Sequence, residues 1–78
     1  MARIELSTIG KIEKERNIVQ EKVKATYSVF EVEGQKYLQI DTYGRNNRRI
    51  PDKISQTIQF DRETAEFLCE LFRTEFNL

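Results

Sequence analysis

The chain has 78 residues, which makes room for a single domain over 1–78 and no more. Its 13 basic and 13 acidic residues cancel, which argues against attachment to nucleic acid by bulk charge alone. With no histidine and a single cysteine, Cys69, it lacks the commonest zinc ligand and general base, and it cannot form an internal disulfide.

No metal site and no cofactor is expected from this composition. A chain this short makes only a marginal core, so self-association is the remaining source of stability. Neither a signal-type apolar segment at Met1–Leu6 nor an apolar run of membrane-spanning length occurs. Together with the lone cysteine, this points to the cytoplasm and away from membranes.

In chain order, Ile4 and Leu6 alternate with Arg3, Glu5 and Ser7, which predicts a first strand. The pattern slips at Thr8-Ile9-Gly10, as a bulge or turn at Gly10 would make it. Residues 11–21 are highly charged, with only Ile12, Ile18 and Val19 apolar, and read as a strand end plus an exposed connection. From Lys22 the alternation is clear. Val23, Ala25, Tyr27 and Val29 share one face, and Lys22, Lys24, Thr26, Ser28 and Phe30 the other.

Glu33-Gly34-Gln35 supplies a tight turn into Lys36–Tyr43. There Leu38, Ile40 and Thr42 share one face, and Tyr37, Gln39, Asp41 and Tyr43 the opposite one. The loop over 44–53 collects Arg45, Arg48, Arg49 and Lys53 among turn formers. Ile54–Phe60 is the last strand, with Ile54, Ile58 and Phe60 expected inward and Ser55, Thr57 and Gln59 outward.

Asp61 is a good N-cap, and Glu63 sits in the first turn of a helix that follows. Ala65, Leu68, Cys69, Phe72 and Phe76 form one apolar stripe at helical spacing, which places Cys69 in buried packing. Phe67 and Leu71 widen that stripe beyond what one small sheet would cover. The expected fold class is therefore α+β: a four-stranded curved antiparallel sheet followed by one C-terminal helix.

The outward sheet face interleaves Lys22, Lys24, Phe30, Tyr37 and Tyr43 with hydroxyl and amide groups. This mixture suits single-stranded nucleic acid, because aromatics stack on bases and cations follow the phosphates. It equally suits an ordinary solvated sheet face, since strands favour aromatics. The arginines of the 44–53 loop could clamp a phosphate backbone or simply keep the loop soluble. No nucleophile motif and no phosphate-binding glycine loop occurs, so an enzyme is not expected.

The run Lys36–Tyr43, a loop ending Ile50-Pro51-Asp52-Lys53, then Ile54–Phe60 and the helix resembles a known family. It is the single-stranded-DNA-binding domain of the transcriptional coactivator positive cofactor four and its small bacterial and phage relatives. The resemblance covers roughly the second half of the chain. It implies four curved antiparallel strands and a helix, dimerisation through that helix, and single-strand binding on concave sheet faces.

The expected function is single-stranded DNA or RNA binding by a homodimer. The residues expected to bind are Lys22, Lys24, Phe30, Tyr37, Tyr43, Arg45, Arg48, Arg49 and Lys53; the dimer contact falls to Phe67, Leu71, Phe72 and Phe76. The alternative is a protein-interaction module, such as a phage or mobile-element accessory factor, that uses the helix or a sheet edge. Duplex DNA binding through the strands, as in ribbon-type repressors, is a third possibility.

Overall fold

The computed structural model describes residues 1–44 and 53–78. Four strands and one long helix follow in chain order: β1 (Ala2–Arg3), β2 (Ala25–Val32), β3 (Gln35–Tyr43), β4 (Ile54–Phe60) and α1 (Arg62–Phe76). The fold class is α+β, a four-stranded sheet followed by one C-terminal helix. The spatial order is β1-β4-β3-β2.

β2, β3 and β4 form an antiparallel meander, and β1 joins the outer edge of β4 in parallel. The sheet is therefore mixed. Alternation in the sequence fixes which residues share a face, but it carries no information on strand direction, and β1 is only two residues long. Immediately after it, Ile4 N–H still donates to the Gln59 carbonyl at 3.1 Å. Leu6–Thr8 then turns as a short 3₁₀ segment, where the sequence suggested that the strand continues. Residues 10–24 form no strand, so β2 begins at Ala25 and not at Lys22.

The hairpin between β2 and β3 turns on Glu33 (φ 51°) and Gly34 (φ 78°). Two successive positive φ values make the tight turn whose twist matches the paired strands. The register then sets Val29 opposite Leu38 and Tyr27 opposite Ile40 on one face. On β4, Phe60 and Ile58 stand opposite the same two β3 residues and complete an apolar face. On the other face Phe30 pairs with Tyr37, Ser28 with Gln39 and Thr26 with Asp41. Gln59 and Thr57 extend those last two rows across β4.

A register shift between Thr42 and Tyr43 corrects one expectation. It sets Ile54 opposite Tyr43, and Ile54 lines a depression with Gln39, Thr57 and Gln59 instead of joining the apolar face. A bulge inserts one residue on one strand and so breaks the two-residue alternation on which the expectation rested.

The helix begins as expected. The Asp61 carboxylate accepts from the Thr64 N–H at 2.9 Å, satisfying one of the unpaired donors of the first turn. The Thr64 hydroxyl, beside the carboxylate although outside hydrogen-bonding geometry, and that Thr64 N–H hold Asp61 below the ordinary carboxylate range. At the other end Asn77 adopts the left-handed conformation (φ 56°), and Leu78 N–H returns to the Arg73 carbonyl at 3.1 Å.

Packing departs most from expectation. No apolar side chain among the described residues is fully buried. Tyr27 is 74% exposed, Phe72 48% and Phe76 69%. Cys69, expected in buried packing, is exposed. Of the apolar stripe only Leu68 is even half-buried. The helix carries more apolar surface than its own sheet covers.

The chain exposes 7496 Å². A compact folded chain of this size exposes roughly 5,000 Å². Its Cα radius of gyration is 14.9 Å, against about 11.5 Å for a compact domain. Part of this excess belongs to the extended 10–24 connection, every residue of which from Lys11 onward is exposed. Large apolar residues of the sheet face and the helix, among them Tyr27, Val29, Phe72 and Phe76, are also exposed.

Candidate nucleic-acid interface

The face opposite the apolar one is organised row by row. At the turn end of the hairpin, the Phe30 and Tyr37 rings stack across β2 and β3, centroids 5.5 Å apart and 27° between planes. The Arg3 guanidinium lies 5.6 Å from the centroid of the Tyr37 ring. Parallel pairing of β1 with β4 puts it there, opposite Gln59. At the other end of β3, the Lys24 ammonium lies 5.0 Å from the Tyr43 ring centroid. The Tyr43 hydroxyl and the Thr26 hydroxyl share a hydrogen bond of 3.0 Å. Each end of the face thus carries an aromatic ring with a cation over it, an attractive arrangement that also presents positive charge beside a stacking surface.

Between the two ends lies a continuous polar network. Gln59 donates to the Gln39 side-chain carbonyl at 2.8 Å. Gln39 donates to both Asp41 carboxylate oxygens at 3.1 Å. Thr57 donates its hydroxyl to Asp41 at 2.6 Å. Asp41 and Thr57 are each only 8% exposed. Burial of a carboxylate is tolerable here because three hydrogen bonds replace its lost water.

Two shallow depressions open on this face. One is bordered by Arg3, Gln39, Ile54, Thr57 and Gln59, and the other by Arg3, Phe30, Val32, Tyr37 and Gln59. Arg3 and Gln59 border both.

The structure thus gathers Lys24, Phe30, Tyr37 and Tyr43 from the residues expected to bind. Lys22 and Lys53 are exposed beside the strands rather than within this network. Arg45, Arg48 and Arg49 lie outside the described residues. Phe67, Leu71, Phe72 and Phe76 are all exposed on α1, with the Phe72 and Phe76 rings 6.5 Å apart.

Sequence reasoning missed Arg3, Gln39, Asp41, Thr57 and Gln59 as site residues. Four of them share the strand parity of Tyr37 or lie across from it, so alternation alone could have marked them. Nothing in the sequence signals Arg3, which reaches the site only through the parallel β1–β4 pairing. No helix among the described residues is long and apolar enough to cross a membrane. No known family model, curated protein or solved structure matches this chain.

Proposed function

We propose that this protein is a homodimeric single-stranded DNA-binding module of the cytoplasm, acting by binding and not by catalysis. The observation that carries the reading is the polar-aromatic sheet face. It has ring-and-cation pairs at both ends (Tyr37 with Arg3, Tyr43 with Lys24) and hydrogen-bonding side chains between them. Stacked bases are worth roughly 1–3 kcal/mol each on such rings, and the cations add phosphate attraction. A neutral chain can hold a polyanion this way because the charge it needs is local. In the sequence, Tyr43 is followed directly by the 44–53 segment with its Arg45, Arg48, Arg49 and Lys53. The resemblance to the positive cofactor four family fits this reading.

The opposite face supports pairing of two copies. An apolar sheet face and a helix displaying Phe67, Leu71, Phe72 and Phe76 are left open in one chain. Obligate dimers bury about 1,000–2,500 Å² per partner, and the exposed apolar residues of the sheet face and helix are the surface here that such an interface would cover. A second copy covering this side would supply the core that one chain lacks and leave the polar-aromatic face free.

The test is fluorescence anisotropy of a labelled single-stranded oligonucleotide, with duplex and RNA competitors, at low and moderate salt. Micromolar or tighter binding that weakens with salt and is competed better by single strands than by duplex is the expected result. No binding at low salt, where phosphate contacts are strongest, would defeat the reading.

A further inference from the structure

We infer that the network centred on Asp41 gives the face a base preference: it selects bases that present hydrogen-bond donors on their edge, guanine foremost, over thymine. This rests on the single-strand reading above and deepens it.

The inference follows from hydrogen-bond direction. A carboxylate offers only acceptors. Gln39 lies 3.1 Å from both Asp41 oxygens and must therefore turn its NH2 toward them. Its carbonyl then faces the other way and takes a proton from Gln59 at 2.8 Å. Gln59 has committed an N–H inward, so its own carbonyl is left over. Thr57 has spent its only proton on Asp41, which leaves its oxygen lone pairs. One buried charge thus sets the direction of every donor in the row, and beside the Arg3 guanidinium the row itself leaves the Gln59 carbonyl, one Gln59 N–H and the Thr57 lone pairs for a ligand.

These leftover acceptors sit where a base edge would come. Gln59 borders the depression that holds the Phe30–Tyr37 stack, and it also borders the neighbouring one with Gln39 and Thr57. A base lying on Tyr37 would direct its edge toward Gln59. Unstacked bases are read by hydrogen bonds to such edges. Guanine offers N1–H and the N2 amino group side by side, and its O6 can take the second N–H of Gln59. Thymine can match the Gln59 amide through N3–H and one carbonyl, but its other carbonyl stands where guanine carries the N2 amino group and opposes the remaining acceptor. Asp41 is nearly buried, so it acts as a positioning residue through Gln39 and Gln59.

The experiment compares three labelled twelve-nucleotide strands by anisotropy: all thymidine, thymidine with isolated guanosines, and the same strand with inosine, which lacks the N2 amino group. The guanosine strand should bind at least about fivefold tighter than all thymidine, the lower end of what one good base contact supplies. Inosine should fall between them. Asp41→Asn keeps the shape but lets the row reverse, so it should erase the preference of the guanosine strand over all thymidine, read as the ratio of the two affinities. Gln59→Leu, farther from the buried charge, should also erase it and covers the case in which Asp41→Asn does not fold. Equal binding of all three strands, or a preference that survives in the folded variants, overturns the inference and leaves the binding function standing. Binding of no strand overturns both.

Discussion

Thr57 donates its hydroxyl proton to the Asp41 carboxylate at 2.6 Å across the β3–β4 pair, and both side chains are buried on a sheet face that otherwise meets solvent. A hydrogen bond to a charged group contributes roughly 1.5–3 kcal/mol, and removing one partner leaves the carboxylate short of a donor. Thr57→Val keeps the shape and deletes the donor. It is expected to destabilise by about 1.5–3 kcal/mol in urea titrations at fixed protein concentration. A change near zero would mean that water replaces the hydroxyl at no cost.

The apolar side should govern association. A buried phenylalanine side chain contributes about 1.5–3 kcal/mol, and a charge in its place adds a desolvation cost. Phe72→Asp is therefore expected to weaken self-association by about a hundredfold or more. Sedimentation or light scattering over a concentration series will show it. The Cys69 thiol lies on the same stripe and offers an independent reading. Its reaction with a thiol reagent should slow as protein concentration rises in the parent chain, and should not slow in Phe72→Asp.

On the polar-aromatic face, rings and cations should separate by experiment. Tyr37→Ala should cost roughly 1–3 kcal/mol of single-strand affinity with little change in salt dependence. Arg3→Ala should weaken binding and reduce the slope of log affinity against log salt by about 0.7, the value for one lost phosphate contact on a single strand. Circular dichroism would verify that both variants keep the fold.

Gly34 lies in the hairpin turn at φ 78°, with open space where a side chain would be. A Cβ would meet no neighbour there, so only the backbone resists substitution. Gly34→Ala is expected to cost about 1–2 kcal/mol, the penalty of the left-handed region for other residues. Thermal unfolding will measure it. A larger loss would indicate that the β2–β3 register also shifts.

Asp61 caps the helix as a carboxylate whose pKa is lowered in the folded state. Such a group contributes stability that is fully present above its unfolded value and is lost as pH falls through the lower folded value. Asp61→Asn, which keeps an N-cap acceptor but not the charge, should lower Tm at neutral pH. The gap should close in strong acid, below the ordinary carboxylate range. A gap that persists there would assign the effect to cap geometry rather than charge.

Much of this fold is legible from periodicity because each local signal agrees with the others. Alternation from Lys22 to Phe30 and through Lys36–Tyr43 specifies two strands whose faces are already distinct, although β2 itself runs from Ala25 to Val32. Glu33-Gly34 specifies the turn, and Asp61 the start of the helix. Ile54 leaves the face that alternation predicts because the bulge at Thr42/Tyr43 is a property of two strands together, and neither sequence announces it. The stripe containing Cys69 and Phe72 suggests buried packing because apolar spacing reports which residues share a side of the helix. It does not report what covers that side.

By itself the sequence determined the three long strands, the turn, the helix and the separation of an apolar from a polar-aromatic face, since all of these follow from backbone propensities and side-chain parity within single segments. Only the tertiary structure decided that Ala2–Arg3 pairs in parallel with β4, that Arg3 thereby reaches Tyr37, and that Gln59, Gln39, Thr57 and Asp41 join in one directed network. Those relations depend on register and strand order between segments far apart in the chain. They are set by which backbone hydrogen bonds close, and no local pattern records that.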